Sequence, residues 1–142
     1  MEVLACYSGG TKFEAVARGH RVICDQPVEN GGADEGMSPP EFLLASLATC
    51  AAYYAVQYLK ARALPAGDLK VRVNAEKALQ PARLESFQIE VDVPGLDDRH
   101  HAGILRAVKA CLIHNTLLGS PRIEVRVGQQ GIPPQIDNPR AA

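Results

Sequence analysis

The apolar positions of the chain change period along its length. Residues 2–7 (EVLACY), 11–18 (TKFEAVAR) and 20–25 (HRVICD) are short β-prone runs, broken at Ser8-Gly9-Gly10 and at Gly19. This predicts three strands joined by tight turns. Residues 26–37 (QPVENGGADEGM) carry no period, and their Pro, Gly and acids predict a loop. The pattern then changes at residues 38–62, SPPEFLLASLATCAAYYAVQYLKAR. Ser38 stands as an N-cap, Pro39 suits the first helical position, and Glu41 completes a capping box. No charge follows until Lys60. Such a helix is apolar all round and is expected to be buried all round. At ~1.5 Å per residue it spans ~37 Å, about the width of a domain of this size. Pro65 and Gly67 end it near Ala63.

Period two returns at residues 69–78, where Leu69, Val71 and Val73 alternate with Lys70, Arg72 and Asn74. Residues 83–93 repeat it with Phe87, Ile89, Val91 and Val93, and Gln80-Pro81-Ala82 joins the two as a hairpin. Pro94-Gly95 is a turn. Asp97 or Asp98 then caps a second helix that runs to about His114, with Ile104, Val108, Cys111 and Leu112 on one face. Residues 122–127 (RIEVRV) read as a last strand, and residues 128–142, with three prolines, as an irregular C-terminal arm. The order predicts a single domain over residues 1–142 of the α+β class, mostly antiparallel, around the long central helix. One sheet and one partner helix cannot cover that helix on every side, so a second copy of the chain is expected to complete the cover in a homodimer.

Composition narrows the function classes. Fifteen Lys and Arg against sixteen Asp and Glu leave a net charge of -1, with no basic excess to hold a phosphate backbone, so nucleic acid is not expected as a partner. The uncharged run from Phe42 to Leu59 reaches the lower length of a membrane span, but Ser46, Thr49, Gln57 and three tyrosines dilute it. A core helix is expected, with no membrane partner. The first residues, MEVLACYSGG, lack a basic stretch followed by an apolar one, which points to the cytoplasm. In that reducing setting four cysteines are expected as thiols, ligands or redox groups, not structural bridges.

Cys50, mid-helix, and Cys111, on the second helix, are the candidates for chemistry. Either could be a small buried hydrophobe. Facing one core, they could also meet as an attacking and a resolving thiol. A thiol of ordinary pKa ~8.5 far from a helix N-terminus is poorly activated, so a reactive Cys50 needs a cation from another segment. Arg18 and Arg21 are the nearest candidates by type, although strand-end arginines are commonly solvated. Glu41 is explained by the capping box. It also stands nine positions before Cys50, which is the opposite side of the helix and ~13 Å along it. Cys111 with His114 and Cys50 would offer three soft ligands, but no tight Cys or His pair supports them, so neither a metal nor a cofactor is expected. His100 and His101 read as solvated surface, and Cys6 and Cys24 as packing residues of one sheet.

The stretch Gly36-Met-Ser-Pro-Pro-Glu-Phe-Leu-Leu-Ala-Ser-Leu-Ala-Thr-Cys50 resembles the P-x-E-h-h-h-A-x-h-x-x-C signature of the OsmC/Ohr family, the osmotically induced and organic-hydroperoxide-resistance proteins. Arg18-Gly-His-Arg-Val-Ile-Cys-Asp25, the Gly-rich loop and Cys111-x-x-x-Asn-Thr-Leu are similar to other landmarks of that family in the same order. The resemblance implies an OsmC-like, intertwined homodimer with the long helices at its centre. It also implies a cysteine-based peroxidase for organic or lipid hydroperoxides, reset by a dithiol of the lipoyl type. Cys50 matches the peroxidatic cysteine, Cys111 the resolving one, and Glu41 and Arg18 the charged pair that holds the thiolate. The glutamate-to-cysteine spacing is one residue shorter than in the best-known hydroperoxide-resistance members, and Leu112 stands where a proline usually follows the second cysteine. This places the chain with the broader OsmC-like branch. The alternative reading is a non-catalytic protein that binds a hydrophobic small molecule, its cysteines inert walls. An apolar pocket beside Leu47, Tyr53 and Tyr54 is expected in either case.

Overall fold

The structure, a computed structural model, describes residues 1–128, which form two compact units: Met1–Pro39 with residues 122–128, and Pro40–Pro121. The irregular arm expected from residue 128 lies outside the described residues but for Gly128.

In the first unit, β1 (Leu4–Gly9), β2 (Lys12–Ala17) and β3 (His20–Cys24) form an antiparallel sheet in the order β1-β2-β3. The predicted turns hold. Arg18 and Gly19, with φ of 51° and 79°, form the two-residue link between β2 and β3. Two positive φ values match the right-handed twist of the strands they join, and glycine adopts the second without cost. The register sets Tyr7, Phe13 and Cys24 in one row and Cys6, Glu14 and Ile23 in the next. Successive rows face opposite sides of a sheet. Cys6 and Cys24 are therefore a full strand apart and on opposite faces, beyond the ~4.4–6.8 Å Cα separation of a disulfide. After β3 a loop carries a 3-10 turn at Val28–Asn30 and returns to bridge Cys24 with Met37.

Residues 122–127 differ from expectation. Their alternation survives, with Arg122 and Arg126 both paired to Glu124 and with Ile123, Val125 and Val127 exposed. Among the described residues they pair with no strand.

Most of α1 (Pro39–Lys60) lies in the second unit. β4 (Lys70–Leu79) and β5 (Ala82–Asp92) follow as an antiparallel pair turning at Gln80-Pro81, and then come α2 (His101–Lys109) and α3 (Leu112–Leu118). Ala51, Ala55 and Leu59 of α1 pack with Ile104 and Val108 of α2. Val71, Ile89 and Val91 of the sheet close over them. Burying a side chain such as Leu59 contributes ~2 kcal/mol.

Within one chain α1 is covered on one side only, in line with the expectation that one sheet and one partner helix cannot enclose it; the extent of the second helix is corrected. Leu47, Ala51, Ala55 and Leu59 form a single buried stripe at i, i+4 spacing, while Tyr53 on another face is 60% exposed. The second helix is not continuous to His114. Asp97 does cap its start, accepting from the Arg99 N–H at 3.0 Å, but the first turn is 3-10 and α2 stops at Lys109. Cys111 is extended (ψ 132°) and α3 begins after it. A straight helix would have carried the stripe 104, 108, 111 on to Asn115. The break keeps Cys111 buried and leaves Asn115 and Leu112 exposed.

Candidate active site

Cys50 and Cys111 come together in the second unit. Cys50 is half-buried on α1, and Cys111 is fully buried at the break between α2 and α3; both are free thiols. Burial pushes the Cys111 thiol above its usual pKa, and the adjoining Cys50 thiol pushes the same way. The backbone N–H groups of His114 and Ile113, in the first turn of α3, pull against both. Cys111 is thus held as the thiol, while Cys50 is the member of the pair that solvent can reach.

Of the two charged candidates, one shares a helix with Cys50 and the other belongs to the first unit. α1 is unbroken from Pro39 to Lys60, so Glu41, in its first turn, faces away from Cys50 and lies ~13 Å along the helix. Arg18 is an exposed residue of the β2–β3 turn in the other unit, held at positive φ. Side chains rarely tolerate that conformation, and ~1–2 kcal/mol is its usual cost for a residue with a Cβ.

An apolar groove of about 920 Å³ opens in the same unit as the thiols. Leu43 and Leu47 of α1, Phe87 and Ile89 of β5, Ile104 of α2 and Leu117 of α3 line it. Asp92, His101, Lys109 and His114 supply polar groups. Leu47 is in its wall as expected. Tyr53 and Tyr54 are not. They pack edge-to-face on each other at 5.5 Å, and neither cysteine lines the groove.

Two arrangements escape a sequence reading. Asp25, 1% exposed, closes the loop that follows β3. It accepts from the Thr11 hydroxyl at 2.6 Å and from the backbone N–H groups of Gln26, Ala33 and Glu35. The Thr11 hydrogen bond leads in lowering its pKa to about 2, against burial, with the three backbone donors adding to it. Gly32 and Gly36 let the loop lie this close, since a Cβ at 32 would stand 1.8 Å from the Gln26 carbonyl oxygen. The second is His100, which is half-buried and not simply solvated. Its Nδ1 is 3.2 Å from the Tyr58 hydroxyl. His101 is exposed, 3.6 Å from Asp98.

The sequence model of the family described as OsmC-like protein matches residues 31–126. The chain belongs to the OsmC-like family. Solved structures share its α+β fold of antiparallel sheets and helices. A Psychrobacter arcticus protein described as an osmotic stress induced and detoxification response protein superposes with a TM-score of 0.73 at 22% identity, over 80% of this chain and 85% of its own. An OsmC-like protein of Mycoplasma pneumoniae gives 0.71 at 21% identity, over 83% and 86%. An organic hydroperoxide resistance protein of Elizabethkingia anophelis gives 0.64 at 17%, over 84% and 89%. No curated protein matches the OsmC-like chain.

Proposed function

We propose that this OsmC-like chain is a thiol peroxidase of the cytoplasm that reduces organic or lipid hydroperoxides to alcohols. The observation that carries the reading is the unequal pair: a reachable Cys50 against a buried Cys111 whose thiol is held protonated. The Cys50 thiolate attacks the outer oxygen of R–O–O–H. The O–O bond breaks, the alkoxide takes a proton and leaves as the alcohol, and Cys50 becomes the sulfenic acid. The Cys111 sulfur displaces hydroxide from it, its proton leaving with that oxygen as water, and a disulfide forms. An external dithiol, lipoyl-type by family resemblance, exchanges with the disulfide and returns both thiols, itself becoming the cyclic disulfide. Arg18 and Glu41 are assigned to thiolate stabilisation by the same resemblance. Since Glu41 cannot touch its own Cys50, that assignment needs a second copy or an intervening group. We read the functional unit as a homodimer of single-domain chains. Two features support it: the uncovered faces of α1 and the strand-like residues 122–127, which pair with no strand among the described residues.

One equivalent of cumene hydroperoxide tests the reading by mass spectrometry. A loss of two hydrogens mapped to a Cys50–Cys111 link is expected, and an unmodified protein would refute it. That second outcome would favour a binding protein, a reading supported by the 920 Å³ groove, which no cysteine lines.

A further inference from the structure

α1 meets the residues that flank α2 at two side-chain pairs. The Cys50 thiol adjoins Cys111 at one end, and Tyr58 meets His100 at the other. The order of these pairs along the chain means that the helices run antiparallel. Cys50 and Tyr58 are eight residues apart on α1, or ~12 Å. Between the two pairs lies a smooth contact of Ala51 and Ala55 with Ile104 and Val108, which Leu59 extends past Tyr58. Small and aliphatic side chains exclude water well but resist sliding and rotation weakly, because apolar attraction has no direction.

The far end is directional. Nε2 of His100 accepts from Nε of Arg99 at 3.2 Å. Nδ1 of the same ring shares a hydrogen bond with the Tyr58 hydroxyl at 3.2 Å. The phenol is itself held. The Arg62 guanidinium lies 3.7 Å over its ring, and Gly103 of α2 leaves it room, since a Cβ there would stand 2.1 Å from the Tyr58 oxygen. One end of α1 is therefore fixed against the start of α2 by a directional bond and a required notch.

We propose that Tyr58 and His100 form a positioning pair that sets the register of α1 against α2 and so keeps Cys50 within reach of Cys111. The proposal rests on reading the two cysteines as a redox pair. Closure of a disulfide tolerates only a narrow Cα separation, ~4.4–6.8 Å, so a shift of α1 by one residue rise, ~1.5 Å, is enough to matter. Tyr58 and His100 touch neither thiol and act only through the helices.

The test measures the thiol–disulfide equilibrium constant of the Cys50–Cys111 pair against a dithiothreitol buffer, read on the linked peptide by mass spectrometry. Wild type is compared with Tyr58→Phe, His100→Leu and the double variant. A hydrogen bond of ordinary net strength transmits about fivefold in an equilibrium constant, or about 20 mV for a two-electron couple. Each single variant should destabilise the disulfide by about that factor, and the double variant by no more. His100→Asn should restore it, since the amide nitrogen takes the place of Nδ1. Melting temperatures are taken alongside. Variants that melt lower but keep the wild-type constant would show a structural role only and overturn the proposal. A wild-type protein that forms no Cys50–Cys111 disulfide would overturn the redox pair itself, and the positioning role with it.

Discussion

Cys50 and Cys111 share a wall of the core but not an environment, and that inequality dictates how their variants differ. Cys50→Ser should abolish peroxide consumption, because the buried Cys111 has no access of its own. Cys111→Ser should leave one rapid oxidation of Cys50, after which sulfenic acid accumulates and over-oxidises to sulfinic acid while dithiol-driven turnover falls. Equal loss in both variants, by stopped-flow oxidation, would contradict this division. Arg18 admits a sharper test than alanine. Asparagine suits the positive φ at this turn position, so Arg18→Asn should keep or raise the melting temperature, with up to about 1 kcal/mol gained from relief of the left-handed conformation. If Arg18 stabilises the thiolate, the pH profile of Cys50 alkylation should move upward in the same variant; an unmoved profile assigns the activation elsewhere. Cys50 and Cys111 could be picked from sequence because each falls on an apolar helical period. His100 could not be read correctly. Its partner Tyr58 is 42 residues away, and nothing local in His100-His101 distinguishes the bonded ring from the solvated one.

At the scale of elements, the loop between β3 and α1 depends on one carboxylate. Its composition announced a loop, but the closure is non-local, since Thr11 and Asp25 are 14 residues apart. The folded pKa of Asp25 is lowered from 3.8 to about 2, first by the Thr11 hydroxyl. The ionised form is the one the fold prefers, so its stabilising contribution is complete above the unfolded pKa and is lost as pH falls from about 4 to about 2. Asp25→Asn should lower the melting temperature at neutral pH and flatten the acid limb of stability across that window, as followed by circular dichroism. A parallel acid limb in the variant would show that other carboxylates govern it. Strands β1 to β5 and the start of α1 at Pro39 were legible because strand period and a proline at the first helical position are local signals. The break after Lys109 was not, since no Gly or Pro marks it. There the burial of Cys111 overrides helical continuity, and a sequence pattern cannot show which side wins.

For the whole molecule, the decisive quantity is what covers α1 and what pairs with residues 122–127. A homodimer answers both, so sedimentation at micromolar concentration should give twice the chain mass, and a monomer would end that reading. Val125→Asp should weaken association by placing a charge on the apolar side of the segment. The same strand-like segment has a consequence for handling the protein. Ile123, Val125 and Val127 are 81%, 85% and 97% exposed, on a segment that pairs with no strand among the described residues. Such an edge recruits other chains indiscriminately unless charge guards it. Arg122, Glu124 and Arg126 are interleaved as that guard, a gatekeeper arrangement that lets the segment wait in water for the right partner. Neutralising the two arginines should therefore show first as turbidity on storage and on dilution, before any loss of fold is seen.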